Sequence, residues 1–360
     1  GVYPSEHGLV TPQFSLDKGQ QTLAEILEKR NYSNQYYYHA WFPLSDYGFG
    51  RGFMERGKGN TAFVFGKNAI DFIKSVKEND TNARFFIWQH HIEPHLPYNP
   101  KGDYASLYIE DIPNEYKGTS RRICMDNEYS EEEIEYFKAL HDGEIRYTDE
   151  AIGDFIDELK AIGEYNNTII VILGDHGEEF WEHGGCDHGQ SVYDEQIHVP
   201  LFMRVPTLKD SKVISKQVSE IDILPTILDI LNISINSRSG RSFMPVILGY
   251  EKTERPVYSE TKRLKKPGIK TSVRYKGHKL IRTIDKKYLN ETWELYDMIR
   301  DPKEENNIWG PNSEIVNELE EIMEKIDDKI ENNRSGTGEI DEIELSKNAE
   351  KRLRDFGYLD

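Results

Sequence analysis

Cysteine is scarce in this chain: two in 360 residues, Cys124 and Cys186. Two cannot build a disulfide framework, and both read as ordinary residues, not reactive thiols. Long apolar runs are missing too. None approaches the roughly 18 residues that a membrane-spanning helix needs. Positive charge is also short: 45 Lys and Arg stand against 64 Asp and Glu, a net charge of −19. This excludes a general nucleic-acid binder, which works by neutralising phosphates. It also repels an anionic substrate at long range, so such a substrate needs local positive charge or a metal. No internal repeat and no signal peptide is visible. Localisation, cytoplasmic or extracellular, is left open.

What is present is globular, with 37% hydrophobic and 30% charged residues. A chain of this length buries a sizeable core, as one large domain or two to three ordinary ones. Its most informative stretch is Thr168–Glu179, TIIVILGDHGEE. The apolar, β-branched run to Leu173 predicts a strand buried on both faces of a parallel sheet. The run empties at Gly174 into Asp175 and His176. Open α/β sheets place their ligands at such carboxyl ends. Carboxylate plus imidazole is half a site for a divalent cation. The plain alternative is that Asp175 caps a turn and His176 faces solvent. Downstream lie His183, Cys186, Asp187, His188 and Tyr193-Asp194-Glu195, and then a second buried run from Val199 to Met203.

A second strand, Arg84–Gln89, empties into His90, His91 and His95, with Pro94 and Pro97 stiffening the segment. One histidine at a strand end is usually structural; such a cluster is harder to dismiss. Elsewhere, Gly1–Gly8 reads as a loop and Asn34–His39 as a strand. Helices are predicted at Thr22–Arg30, Asn68–Val76, Glu131–His141, Asp142–Gly163 and Ile221–Leu231, the last with Pro225 in its first turn. Arg121-Arg122, in a polar insertion, reads as a solvated pair. After residue 250, short strands at Val257–Glu260, Ile269–Tyr275, His278–Thr283 and Thr292–Tyr296 predict a small antiparallel sheet. A charged helix at Glu314–Glu331 and a last helix at Leu345–Leu353 follow.

The region GEIRYTDEAIGDFIDELKAIGEYNNTIIVILGDHGEEFWEHGGCDHGQSVYDEQIHVPLFMR resembles the C-terminal signature of type I sulfatases, of the alkaline-phosphatase-like superfamily. FFIWQHHIEPHLPYNP, VSEIDILPTILDILNI and ELYDMIRDPKEENNI agree with it, and the likeness runs from residue 1 to about 310. The resemblance implies an α/β fold: a mostly parallel central sheet with helices on both faces, plus a small C-terminal antiparallel sheet. It divides the chain into an α/β domain (1–250), an antiparallel subdomain (251–310) and a helical tail (311–360). It implies metal-dependent hydrolysis of sulfate esters, of a sulfated small molecule or glycan. One divalent ion is implied, Ca2+ with Mn2+ or Mg2+ as alternatives, held by Asp175 and His176. His95 would contact the sulfate and His188 would be the acid, with His90 and His183 as further substrate contacts. His188 stands where much of the family has Lys. His198 stands where the family usually has Arg, and is given a structural role. The family's nucleophile is a formylglycine made in a Cys/Ser-x-Pro-x-Arg motif, which is not among these residues. The expectation is that it lies upstream of residue 1, with the first strand, and that this chain alone is inactive. A phosphodiesterase or phosphonate monoester hydrolase fits the same residues, as does a noncatalytic relative that binds glycan or a partner protein.

Overall fold

A computed structural model describes residues 1–9, 15–39, 47–54, 57, 59–119, 128–235, 238–263, 268–285, 290–311 and 313–334. The chain forms two compact units. The first gathers Gly1–Thr11, Ile169–Glu178 and His188–Ile340; the second gathers Pro12–Thr168, Glu179–Asp187 and Asp341–Asp360.

The expected loop at the start of the first unit contains a short helix, α1 (Pro4–His7). Pro4 presets its φ, and Gly8 ends it at φ 78°. Glu6, fully buried, holds the turn by accepting the Tyr3 amide and the Ser239 hydroxyl, each at 2.6 Å.

In the second unit, α2 (Leu23–Glu28) begins at a reciprocal capping box between Thr22 and Glu25. β1 (Tyr32–Tyr38) follows. α3 (Ala62–Asn79) starts earlier than the expected Asn68, because Thr61 caps it and Ala62 and Phe65 extend its buried stripe. β2 (Arg84–His90) pairs in parallel with β1. One face of this pair sets Tyr37 and Ile87 on Phe65 and Ala69 of α3. The other face sets Tyr36 and Tyr38 against Phe49 and Phe53. The two helices expected at 131–141 and 142–163 are continuous as α4 (Glu131–Ala161). No proline parts them. Gly143 at the join lies against Ala105, where a Cβ would come within 2.9 Å of the backbone nitrogen. Gly163 ends the segment at φ 80°.

β3 (Ile170–Leu173) returns to the first unit. The second unit next takes the two-residue strands β4 (Glu179–Phe180) and β5 (Cys186–Asp187), paired antiparallel. Then come α5 (Asp194–Ile197) and β6 (Leu201–Arg204). β6 runs antiparallel to β3, with Leu173 opposite Leu201. Parallel pairing needs a long crossover, usually a helix. The longest helix between these strands is α5, of four residues. Of these two pairs, one is therefore parallel and one antiparallel, and the run expected to be buried on both faces is only half-buried, with Leu173 40% exposed.

α6 (Ile223–Ile230) carries Pro225 in its first turn, as expected, and α7 (Met244–Ile247) follows. β7 (Val257–Arg263), β8 (Gly268–Tyr275), β9 (His278–Asp285) and β10 (Asn290–Asp297) form the expected antiparallel sheet, in the order β10-β9-β8-β7. Strand side chains alternate between faces. One face buries Tyr258, Val273, Leu280 and Leu295 against α8 (Glu314–Arg334). The other packs Ile281 and Tyr296 against Val192, with Tyr193 and Ile197 beside them.

Cys186, expected to be an ordinary residue, is disulfide-bonded. Cys124, Arg121-Arg122 and the helix expected at Leu345–Leu353 lie outside the described residues. Among the described residues no helix is long and apolar enough to cross a membrane.

Candidate active site

In the first unit, β3 ends against the segment leading into β6. Gly174 donates its N–H to the Pro200 carbonyl at 3.1 Å, and Gly177 donates to the Gln196 carbonyl at 2.8 Å. The approach at Gly177 is so close that a Cβ would lie 2.0 Å from the Glu195 oxygen. Only glycine fits there. The tight turn between these glycines presents Asp175 and His176, with side chains 71% and 30% exposed. The His176 Nδ1 lies 2.9 Å from the Gly177 carbonyl. A carbonyl can only accept, so Nδ1 carries the proton. Nε2, 3.8 Å from an Asp175 oxygen, keeps its lone pair. Burial first, then the neighbouring His188, lower the pKa of His176 below the ordinary histidine value. A neutral imidazole beside a carboxylate is a chemically sound donor pair for a divalent cation.

His188 stacks on His176, ring centroids 3.6 Å apart and planes 22° from parallel. Its Nδ1 lies 3.4 Å from a Glu178 oxygen, and both side chains are buried, 8% and 6% exposed. Glu178 was not anticipated as a participant. Its position two residues beyond His176 was the available signal, but a carboxylate in a turn is usually solvated.

The second unit holds the other three candidates. β2 ends at His90, which lines a small aromatic cavity with Tyr36, Phe53 and Trp88. Next to it His91 is half-buried, and desolvation above all, with His90 second, pushes its pKa down to about 4. The His95 Nδ1 lies 2.5 Å from the Leu96 carbonyl. Beyond it, Leu96 and Tyr98 bury beside Phe137 and Leu140 of α4. Asn99 donates its N–H to Glu144 Oε1 at 2.8 Å. Glu144 is only 4% exposed, and its Oε2 is buried without a hydrogen-bond partner among the described residues. Burial first, then the charge of Glu93, push its pKa up to about 8 against the opposing Asn99 hydrogen bond. Glu144 was also overlooked. The signal was a charge on the buried α4 face that carries Leu140, Tyr147 and Ala151. His183 sits between β4 and β5. Its N–H and that of Gly185 both donate to one oxygen of buried Glu179, at 3.2 and 2.8 Å. The structure thus brings Asp175, His176 and His188 together in one unit, and holds His90, His95 and His183 in the other.

Comparison with known proteins bears on what these groups do. A sequence profile described as sulfatase matches residues 1–233. The chain belongs to the sulfatase family. A second profile, the C-terminal region of N-sulphoglucosamine sulphohydrolase, matches residues 181–334. The N-acetylglucosamine-6-O-sulfatase of Bacteroides thetaiotaomicron is 27% identical over 267 residues, 71% of this chain and 45% of that protein. The chain spans less than half the length of the curated relatives it matches. A solved structure in complex with its substrate D-glucosamine-2-N,6-O-disulfate is similar at a TM-score of 0.70 and 20% identity, over 92% of this chain and 86% of that one. A phosphonate monoester hydrolase from Silicibacter pomeroyi gives 0.65 and 19%, over 92% and 84%. At these identities the likeness is one of fold, the alkaline-phosphatase-like fold. Sulfatases generally bind a divalent metal, and His176 and His188 belong to a group of side chains that could hold one.

Proposed function

We propose that this sulfatase-family chain serves a sulfuric ester hydrolase acting on sulfated sugars, and that it supplies metal ligands, the general acid and sulfate contacts. One observation carries this reading: neutral His176 stands beside Asp175 and stacks on His188, which is backed by buried Glu178. Asp175 and His176 hold the ion, Ca2+ by preference, with Mn2+ and Mg2+ as alternatives. When bound, the ion offsets negative charge on the nonbridging oxygens of the transferred group. His188 donates its proton to the leaving oxygen as the sulfur–oxygen bond breaks, a task suited to an imidazolium near neutrality. His95 donates to a sulfate oxygen. Its Nδ1 proton is engaged by the Leu96 carbonyl, so Nε2 donates only from the imidazolium form. His90 and His183 are assigned as further substrate contacts. The nucleophile is assigned to none of these 360 residues. A sulfated amino sugar is supported by the name of the Bacteroides relative, the glucosamine disulfate in the similar structure, and the second profile.

A phosphonate or phosphodiester hydrolase is the second reading, favoured by the similar fold of the Silicibacter enzyme. The test uses the natural full-length protein with added Ca2+. Release of sulfate from a 6-O-sulfated glucosamine should exceed release of product from a nitrophenyl phosphonate or phosphodiester. The reverse order transfers the assignment to phosphoryl chemistry. No turnover of either, with glycan still bound, makes the protein a binding relative.

A further inference from the structure

The segment that follows His188 is anchored by charge to a distant part of the first unit. Lys279 on β9 is fully buried, its Nζ 2.9 Å from an Asp194 oxygen and 2.9 Å from a Glu304 oxygen. The Asp194 N–H donates to Glu304 Oε2 at 2.6 Å. The Arg274 guanidinium pairs with the second Asp194 oxygen. One residue earlier, the Tyr193 hydroxyl donates to Glu294 Oε2 at 2.7 Å, and Tyr296 donates to the same oxygen at 2.7 Å. All of these contacts grip the N-terminal end of α5.

The third residue of α5, Gln196, grips the candidate site. The Gln196 carbonyl receives the Gly177 N–H at 2.8 Å, one residue from His176. Its side-chain oxygen receives the N–H groups of Gln190 and Ser191, at 3.1 and 3.2 Å, just past His188. The short helix is a bridge between the charge network and both imidazoles.

Stability alone is a poor account of such a network. Desolvating Lys279 and Glu304 costs several kcal/mol per ion, and well-packed apolar residues would often serve as well. What apolar residues could not do is hold α5 in one register. Glu294 and Glu304 both belong to ELYDMIRDPKEENNI, a stretch that resembles the family yet has no role in the chemistry proposed above.

We infer that Lys279, Glu304 and Glu294 are positioning residues, which orient His176 and His188 through α5. The inference rests on the proposed reading only for its catalytic consequence; the positioning is tested without it. The experiment is hydrogen exchange on the natural full-length protein and on its Lys279→Met/Glu304→Gln variant, which removes the buried pair together and leaves no orphan charge. The amides of Gly177, Gln190 and Ser191 should exchange about tenfold faster, while those of β8, β9 and β10 stay within about twofold. On a sulfate ester, kcat should fall about tenfold with KM little changed. Unchanged exchange at Gly177, Gln190 and Ser191, or equal acceleration throughout the sheet, overturns the inference. If the wild type turns over no sulfate ester, the functional reading fails and exchange still decides the positioning. Should the double variant not fold, Glu294→Gln, which keeps the buried pair, must speed the same three amides, or the inference is lost.

Discussion

The two units present histidines beyond the end of an apolar strand in opposite ways. In the first, His176 and His188 depend on α5, and α5 depends on Lys279 and Glu304, about a hundred residues further along the chain. In the second, the His95 ring is tied to the carbonyl of the next residue, and its loop is pinned by one backbone hydrogen bond to Glu144. The first arrangement is set by long-range ion pairs with little solvent access. The second is set by local backbone and by a carboxyl that burial keeps protonated. Similar side chains can therefore be held by charge or by its suppression, and the two supports should fail differently.

The sharpest break falls on the metal ligands. Asp175→Ala in the full-length protein should lower kcat/KM on a nitrophenyl sulfate by about 10³-fold, since several kcal/mol of charge stabilisation go with the ion. Metal content measured alongside should drop. Full activity with normal metal content would remove Asp175 from the ligand set.

Next comes the charge network. Lys279→Met alone leaves Asp194 and Glu304 with negative charge and no buried cation between them. The cost should be roughly 3–5 kcal/mol in urea denaturation, and adding Glu304→Gln should recover most of it. If the single variant is as stable as wild type, the network does not carry the charge described here.

The catalytic contrast between His188 and His95 follows. Removing either donor should cost about 10²–10³ in rate. For His188→Ala the loss should be larger with an alkyl sulfate than with a nitrophenyl sulfate, because an activated aryl oxide leaves without much protonation. For His95→Ala the loss should be alike on both. Equal losses for His188→Ala would move the proton donor elsewhere.

The smallest effect belongs to Glu144. Its folded pKa, about 8, lies above the ordinary 4.5. The native chain therefore holds an extra proton between those values, and stability falls as pH rises through that window. Glu144→Gln keeps the acceptor for the Asn99 N–H and cannot ionise. The variant should melt a few degrees above wild type at about pH 8–9, and the difference should vanish by about pH 5. A constant difference across that range would show that Glu144 is not protonated in the native state.

Much of this was legible in the residues themselves. The apolar β-branched run at 168–173 and the alternation after residue 250 are local signals, and each became a strand or strands; the run's expected burial on both faces did not follow. Asp175-His176 at a strand end and the histidines past β2 could be named because polar chemistry at the mouth of an apolar strand is rare without a reason. Other features depended on folding. The antiparallel pairing of β6 with β3 depends on which strands meet, not on any run of residues. Cys186 could not be read as a disulfide half-cystine from a count of two. Glu178, Glu144 and Lys279 look like solvated charges in sequence. Only the tertiary structure buries them, and burial is what makes a charged group need a partner.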